Sequence, residues 1–431
     1  MSRSALLART FTAVRDCAWL DAGRARAYAR ILASVAIAVS LAWIALGSDG
    51  LDRRGEPLGG DFVSFWAAAR LALEGQPERA YDIGAHWAQQ KAMFGPDVGY
   101  AAFFYPPPAL LLYLPLGFAP YFVALSLWLG LGGYAAFQAA RGFWAGLDAV
   151  TFLAFPAVLV NVAHGQNGFV TTALIGGGLL ALGRRPAVAG ALLGAMVIKP
   201  HLALVLPFAL VLSRRWTTLC AAAATSLALC ALSLAAFGVS TWRSFLHGSS
   251  FARRALEENL IGYEKMQSVF AAARLLHGSV GIAWILQAAS AGAALAALFS
   301  LYRKGRPQRG EAAAVVCAAL LATPFLLDYD LMLLAIPMCW MTAEGLRRGF
   351  LPFEKAALAA VFLLPLISRS VAGTLGAPLA PFLIAALMGL VMRRADEPVV
   401  DDAVFCAAAA PRASHLAPIN DRKRAAAPLE S

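Results

Sequence analysis

The chain of 431 residues has 60% hydrophobic residues, 14% charged residues and a mean hydropathy of +0.66, which excludes a soluble globular protein. Its formal charge of +11 does not indicate nucleic-acid binding, because the basic residues lie beside apolar segments, where they orient a membrane protein. The alternating pattern of a membrane β-barrel is not present in the sequence, so the apolar segments predict membrane helices.

We predict an all-α polytopic membrane protein with about 12 transmembrane helices and with interfacial helices in its first extracytoplasmic loop. The expected domains are a basic cytoplasmic segment at 1–27, a transmembrane domain at 28–393 and a disordered cytoplasmic tail at 394–431. Two extracytoplasmic loops are expected at about 48–108 and 239–278. The predicted spans are 28–47, 120–141, 148–163, 166–183, 186–199, 201–213, 215–238, 279–302, 311–327, 329–346, 352–369 and 375–393.

The distribution of lysine and arginine orients these spans. Most of the 36 basic residues fall on one side, in the N-terminal segment, in the turns at Arg184-Arg185 and Arg214-Arg215, in 303–309 and in the tail. Since cytoplasmic loops carry the excess of positive charge, both termini are expected in the cytoplasm. The predicted location is the inner (plasma) membrane.

A short stretch after the first span, Gly59-Gly60-Asp61-Phe62, begins a predicted amphipathic helix. Its apolar positions recur at helical spacing, and Gly75 can end it. Such a helix should lie along the membrane surface, with its aromatic side toward the lipid. Asp61 in its first turn has two interpretations, a helix N-cap or a catalytic base that faces a lipid-borne substrate.

Four further polar motifs fall at the outer ends of predicted spans, on the side where Asp61 lies. They are Tyr105-Pro106-Pro107-Pro108, His164-Gly165-Gln166-Asn167, Lys199-Pro200-His201 and Asp328-Tyr329-Asp330. Polar groups at the membrane edge are costly, so their convergence on one face predicts a functional site. Simpler interpretations stay open: His164 can bond its own backbone, Gln166 and Asn167 can cap or join helices, and one aspartate can cap a helix.

Lys199 is the most informative of these residues. It lies between two arginine pairs that are both expected in the cytoplasm, so residues 186–213 should run outward and return. Each arm is too short to cross the bilayer, which places the Lys199-Pro200-His201 tip inside a cavity. A cation there needs an anion, either a substrate phosphate or a carboxylate of the protein. The alternative to this outward and returning path is that residues 186–213 form one kinked helix that crosses the membrane once.

No cofactor is predicted. The six cysteines form no CxxC pair, so neither a disulfide framework nor a cysteine metal site is supported. Asp328 and Asp330 raise the question of a divalent metal, but carboxylates at this spacing are common and leave a metal unsupported.

In their order and spacing, the Asp61 helix start, Tyr105-Pro106-Pro107, His164-Gly165-Gln166-Asn167 and Lys199-Pro200 resemble glycosyltransferase family 87 of the GT-C superfamily. The resemblance runs from about residue 30 to about residue 390. It implies a GT-C-type helical bundle and transfer of a hexose, mannose in the polyprenyl-phosphate-mannose-dependent α-mannosyltransferases of the family. It also implies a catalytic carboxylate in the first extracytoplasmic loop, for which Asp61 is the matching position.

The residue chemistry agrees with this resemblance. Asp61 can take the proton of an acceptor hydroxyl, and Lys199, with His201 or an arginine of the second loop, can stabilise a departing polyprenyl phosphate. The remaining expected donor- and substrate-binding residues are His164, Gln166, Asn167, Tyr105, Asp328 and Asp330. The expected partners are the polyprenyl-phosphate sugar donor, a lipid or glycan acceptor and membrane lipids, with no nucleic acid.

Two rival functions use the same features. A transporter or flippase of a lipid-linked sugar would need the cavity and the lysine but no base, and inverted hydropathy symmetry would favour it. A polymerase or ligase that uses a diphosphate-linked lipid would predict more arginines around the leaving group.

Overall fold

The helices follow one another along the chain, and residues 46–61 and 95–106 are two of the longer connections between them. The computed structural model describes residues 3–303 and 310–397. The first helices are α1 Arg3–Asp16, α2 Ala22–Ala45, α3 Phe62–Leu73, α4 Ile83–Phe94, α5 Pro107–Tyr113 and α6 Tyr121–Phe143. The next are α7 Ala149–Ala154, α8 Pro156–His164, α9 Gly168–Ala181, α10 Pro186–Gly194, α11 Leu206–Leu212 and α12 Trp216–Glu257. The last are α13 Val269–Leu275, α14 Val280–Arg303, α15 Glu311–Ala322, α16 Ala335–Arg348, α17 Glu354–Leu375 and α18 Ala380–Asp396.

Short 3₁₀ helices connect several of these elements, at Pro77–Tyr81, Leu114–Phe118, Ala195–Ile198, Pro200–Leu202 and Asp328–Leu334. Within 3–303 and 310–397 the only β structure consists of isolated bridges, so the all-helical prediction is confirmed. The described residues up to Ala395 make one compact unit. The predicted disorder of the tail concerns residues that lie almost wholly outside the described ranges.

Five helices in the described part of the chain are long and apolar enough to cross a membrane, namely α2, α6, α12, α14 and α17. The predicted count of 12 spans is not confirmed, because several of the segments are broken or short. Residues 148–163 divide at Pro156, whose missing N–H and fixed φ suit the first position of α8 rather than a helix interior. Residues 329–346 begin as the 3₁₀ helix Asp328–Leu334, followed by α16.

The outer surface and the core differ as expected for a membrane bundle. Large apolar side chains of α2, such as Ile31, Val35 and Leu41, are exposed, which suits contact with lipid. In contrast, α15 is buried along its whole length, and it packs against α14 and α16 in the main apolar core.

Residues 186–213 run out and back, as predicted. Gly190 lies against the Thr218 carbonyl, and the Ser226 hydroxyl donates to the Gly194 carbonyl over 2.8 Å, so α10 and α12 run in the same direction. The chain therefore runs back in the opposite direction through α11, which lies between α10 and α12 in the sequence. Arg185 and Arg215, which precede α10 and α12, lie at the same end of the bundle, and Lys199 lies at the tip.

The helix that follows Asp61 does not match the predicted interfacial helix. In α3 both the aromatic positions and the opposite, alanine-rich face are buried inside the protein. Small side chains allow this close packing, since Gly117 of the 3₁₀ helix Leu114–Phe118 lies against Ala69. The prediction used only the apolar spacing, which does not reveal that a second element covers the opposite face.

The first loop is a folded layer rather than an extended connection. His86 of α4 bonds through Nε2 to the Ser64 carbonyl of α3 over 3.0 Å, and Gln90 lies 3.2 Å from its Nδ1. Burial lowers the pKa of His86 to about 4, so the imidazole is neutral and its Nε2–H is the donor. The bond from His86 to Ser64 fixes α4 against α3, and Gln90 holds the imidazole from within α4.

The second predicted loop, 239–278, is also largely helical. The helix α12 breaks at Gly238, where φ is 78° and ψ is 170°, and then continues to Glu257 beside the first loop. Glycine adopts this backbone conformation without the steric cost that a Cβ would bring. The predicted end of the span at 238 coincides with this break.

Candidate functional site

Asp61 lies in a turn whose side chain is not used for helix capping. It occupies the N-cap position of α3 with helical φ and ψ, and its carboxylate makes no capping hydrogen bond. Its Oδ2 instead accepts a hydrogen bond of 2.9 Å from Nε2 of Gln166. Asp61 is half-buried and lines a cavity. The capping interpretation therefore does not describe this carboxylate.

Two glycine turns bring Gln166 to Asp61. Gly165 ends α8 in the left-handed region, with φ 59° and ψ 28°. A Cβ on Gly165 would meet both the Gly59 carbonyl oxygen and Cβ of Phe62 at 2.5 Å, so only glycine allows this approach. The turn before α9 thus packs directly on the turn before α3.

The amide of Gln166 has a fixed orientation. Its Oε1 accepts from the Tyr105 hydroxyl over 3.3 Å and from the Asn167 backbone N–H over 3.2 Å, which directs its NH₂ group to Asp61. Burial raises the pKa of the Tyr105 phenol well above its usual range, so this hydroxyl remains a donor. Tyr105, Gln166 and Asp61 therefore form one hydrogen-bonded chain at the cavity wall.

Lys199 has a carboxylate partner within the protein. Its Nζ lies 2.5 Å from Oδ1 of Asp330 and 2.9 Å from Oδ1 of Asn167, and 4.7 Å from the centre of the Tyr329 ring. The side chains of Lys199 and Asp330 are 3% and 0% exposed. The second oxygen of Asp330 accepts from the Leu327 backbone N–H, so Asp330 also closes the first turn of the 3₁₀ helix.

Three other predicted residues, His164, Asp328 and His201, have the following contacts. His164 bonds through Nδ1 to the Val160 carbonyl over 2.9 Å, in agreement with its simpler interpretation, and it does not line the cavity. Asp328 accepts from the Tyr329 N–H and lies 3.6 Å from the Arg369 guanidinium. His201 lines the cavity, and its buried Nε2 has no hydrogen-bond partner in the described part of the chain.

The cavity has a volume of about 710 Å³, in the range typical of small-ligand sites. Five predicted residues line it: Asp61, Tyr105, Gln166, Lys199 and His201. Asn167, Asp328 and Asp330 lie behind the wall and contact residues that form it. Residues of all five polar motifs thus lie in or next to the wall of one cavity.

Two basic residues of the second loop, Arg253 and Lys265, also line the cavity and were missed as individual site residues. A signal for them exists in the sequence, because lysine and arginine in a loop that is expected on the outer side depart from the positive-inside distribution. Among the residues that the structure describes, no cluster of three or more His, Cys, Asp or Glu side chains could hold a metal ion.

The model of glycosyltransferase family 87 matches residues 103–324, which is just over half of the chain. The chain belongs to glycosyltransferase family 87. Its membership, together with the apolar helices, makes this protein a membrane glycosyltransferase. Neither a curated protein nor a solved structure is similar enough to the chain to give a match.

The matched range is shorter than the resemblance from 30 to 390 suggested. It includes Tyr105, the turn 164–167, Lys199 and Lys265, but it begins after Asp61 and ends before Asp328. The assignment of Asp61 to the candidate site of this family 87 glycosyltransferase therefore rests on geometry. Asp61 contacts Gln166, which lies inside the matched segment.

Proposed function

We propose that this protein transfers a hexose, with mannose as the first sugar to test, from a polyprenyl-phosphate sugar to a lipid or glycan acceptor. The reaction takes place on the extracytoplasmic face of the inner membrane, and both termini lie in the cytoplasm. One observation carries the proposal: a half-buried carboxylate, oriented by an amide, lines a cavity of about 710 Å³ in a membrane glycosyltransferase.

In the proposed step Asp61 is the general base. The acceptor hydroxyl gives its proton to Asp61 while its oxygen forms a bond to C1 of the donor sugar. The bond between C1 and the phosphate oxygen breaks, and the polyprenyl phosphate leaves with the bonding electrons. Attack from the face opposite the leaving group inverts C1, so a β-linked donor gives an α-glycoside. Phosphate is already a good leaving group and needs no general acid.

The other residues have supporting roles in this proposal. Gln166 and Tyr105 hold Asp61 in place, and Lys199 and His201 face the donor in the same cavity. Asn167, Asp328 and Asp330 fix the residues that form the wall. Positioning of this kind lowers the entropy cost of bringing donor, acceptor and base together.

The test uses the purified protein in lipid nanodiscs with radiolabelled polyprenyl-phosphate-mannose and a membrane lipid extract. We expect a new radiolabelled glycolipid that requires both protein and extract. A parallel reaction with polyprenyl-phosphate-glucose separates the choice of sugar from the class of donor. If all label stays in the donor with both sugars, transfer of either sugar from polyprenyl phosphate to a lipid of this extract is wrong.

A further inference from the structure

Among the described residues, three cations line the cavity, and they differ in how their charges are balanced. Lys199 is paired with the fully buried Asp330, so these two side chains together bring no net charge to the cavity. Arg253 bonds through Nε to Glu257 over 2.9 Å, and its side chain is 73% exposed, where water screens its charge. Lys265 is the third cation.

Lys265 has no carboxylate within ion-pair distance in the described part of the chain. The neighbouring Glu264 is directed elsewhere, toward Gly262 and Gly373. Lys265 is half-buried, so its charge is less screened than that of an exposed lysine. A lysine that lines a cavity and has no carboxylate partner among the described residues can bind an anionic ligand there.

The backbone holds Lys265 in a defined position. Residues Met266 and Leu327 form a β-bridge, and the Gln267 N–H donates to the Leu326 carbonyl over 2.7 Å. The Asp328 N–H donates to the Lys265 carbonyl over 3.2 Å. These bonds attach Lys265 to the segment that continues into Tyr329 and Asp330, the segment that also holds Lys199.

From these contacts we propose that Lys265 binds the phosphate of the donor lipid, with its ammonium group as the counter-ion of the leaving phosphate. The proposal rests on the proposed function, since it identifies the phosphate site of the same cavity. When the sugar leaves, the phosphate changes from a diester with one negative charge to a monoester that carries more. A lysine ammonium is a compact point charge and stabilises that developing charge.

Lys199 joins parts of the protein in this arrangement, whereas Lys265 binds the phosphate. Its ion pair with Asp330 and its bond to Asn167 join the tip of the α10–α11 hairpin to the turn before α9. Asp61 and Lys265 then line the same cavity as the base and the phosphate ligand, and C1 of the sugar lies between them during transfer.

Binding of polyprenyl phosphate, which carries no sugar, tests the phosphate site without turnover. The purified full-length protein in nanodiscs is titrated with polyprenyl phosphate and, separately, with the uncharged polyprenol. We expect Lys265→Met to weaken polyprenyl phosphate binding about 10-fold or more, the loss of a hydrogen bond to a charged group. Polyprenol binding should not change, and Lys265→Arg should retain most of the phosphate affinity because the charge survives.

The matched control is Lys91→Met, which removes a lysine of the first loop that stacks on Trp87 and does not line the cavity. It should bind polyprenyl phosphate as the wild type does. Equal affinity in Lys265→Met and wild type would overturn the Lys265 assignment and leave the proposed function standing. A wild type that binds polyprenol and polyprenyl phosphate equally would overturn the phosphate site and the proposed donor class together.

Discussion

At the scale of single residues, the ion pair of Lys199 and Asp330 shows how this site is built. The two residues lie 131 positions apart in the chain, and both are buried. The ammonium group also bonds to Asn167, and the carboxylate also accepts from Leu327. Such a pair adds little stability over apolar side chains, but loss of one partner leaves an unpaired buried charge.

We therefore predict that Lys199→Met lowers the free energy of unfolding by about 3–5 kcal/mol, and that Asp330→Leu has an effect of similar size. The double variant should lose much less than the sum of the two, because no buried charge is left alone. Thermal and denaturant unfolding of the purified proteins measure these differences. Arg15→Met, which breaks the exposed pair with Asp16, is the control and should change stability little. Strictly additive effects in the double variant would show that the pair is not coupled.

The sequence predicted the members of the site better than their contacts. Asp61, Gln166 and Lys199 were predicted because polar groups at the membrane edge are costly, which is a property of each position alone. The partner of each one could not be predicted, since Gln166 meets Asp61 and Lys199 meets Asp330 only through the packing of distant turns. Lys265 was missed as a site residue because its position depends on the bridge between Met266 and Leu327.

At the scale of helices, the α10–α11 hairpin carries Lys199 and His201 to the cavity. The parallel course of α10 and α12 puts their first residues at one end and the hairpin tip at the other. The helix α12 then extends past Gly238 and covers the first loop, where Phe245 meets Tyr81 at a ring-centre distance of 5.7 Å.

This arrangement predicts which positions share a side of the membrane. In a cysteine-free background, cysteines at 185 and 215 should react with an impermeant maleimide only after the membrane is opened to the cytoplasmic side. Cysteines at 78 and 259, on the side of the cavity, should react in intact spheroplasts. Labelling of 185 and 215 from opposite sides would contradict the hairpin and the position of Lys199.

The helical elements were mostly predictable, and their surroundings were not. Apolar length and arginine pairs placed α6, α9, α14 and the hairpin near their observed bounds. The interfacial position predicted for α3 is not confirmed, and both faces of this helix are buried in the protein, because apolar spacing does not show how many partners cover a helix. The breaks at Pro156 and at Asp328–Leu334 reduced the number of continuous spans.

At the scale of the whole molecule, the chain separates anchoring from chemistry. In the described part of the chain, five long apolar helices with exposed apolar side chains suit a membrane anchor. Shorter helices, turns and the second loop supply most of the residues that line the cavity. Short helices and turns can place polar backbone and charged side chains at membrane depth because other protein segments surround them. This division explains why the most apolar parts of the sequence contain few of the site residues.

The central claim is that this family 87 enzyme uses Asp61 as the base of its transfer reaction, and turnover of Asp61→Asn tests it most directly. The asparagine oxygen can still accept the hydrogen bond from Gln166, so the unfolding temperature should equal that of the wild type. Because the proton acceptor is lost, we predict that glycolipid formation falls about 10²-fold or more. Asp97→Asn, an exposed aspartate of the same loop outside the cavity, should retain wild-type turnover. A folded Asp61→Asn protein with wild-type turnover would contradict the claim.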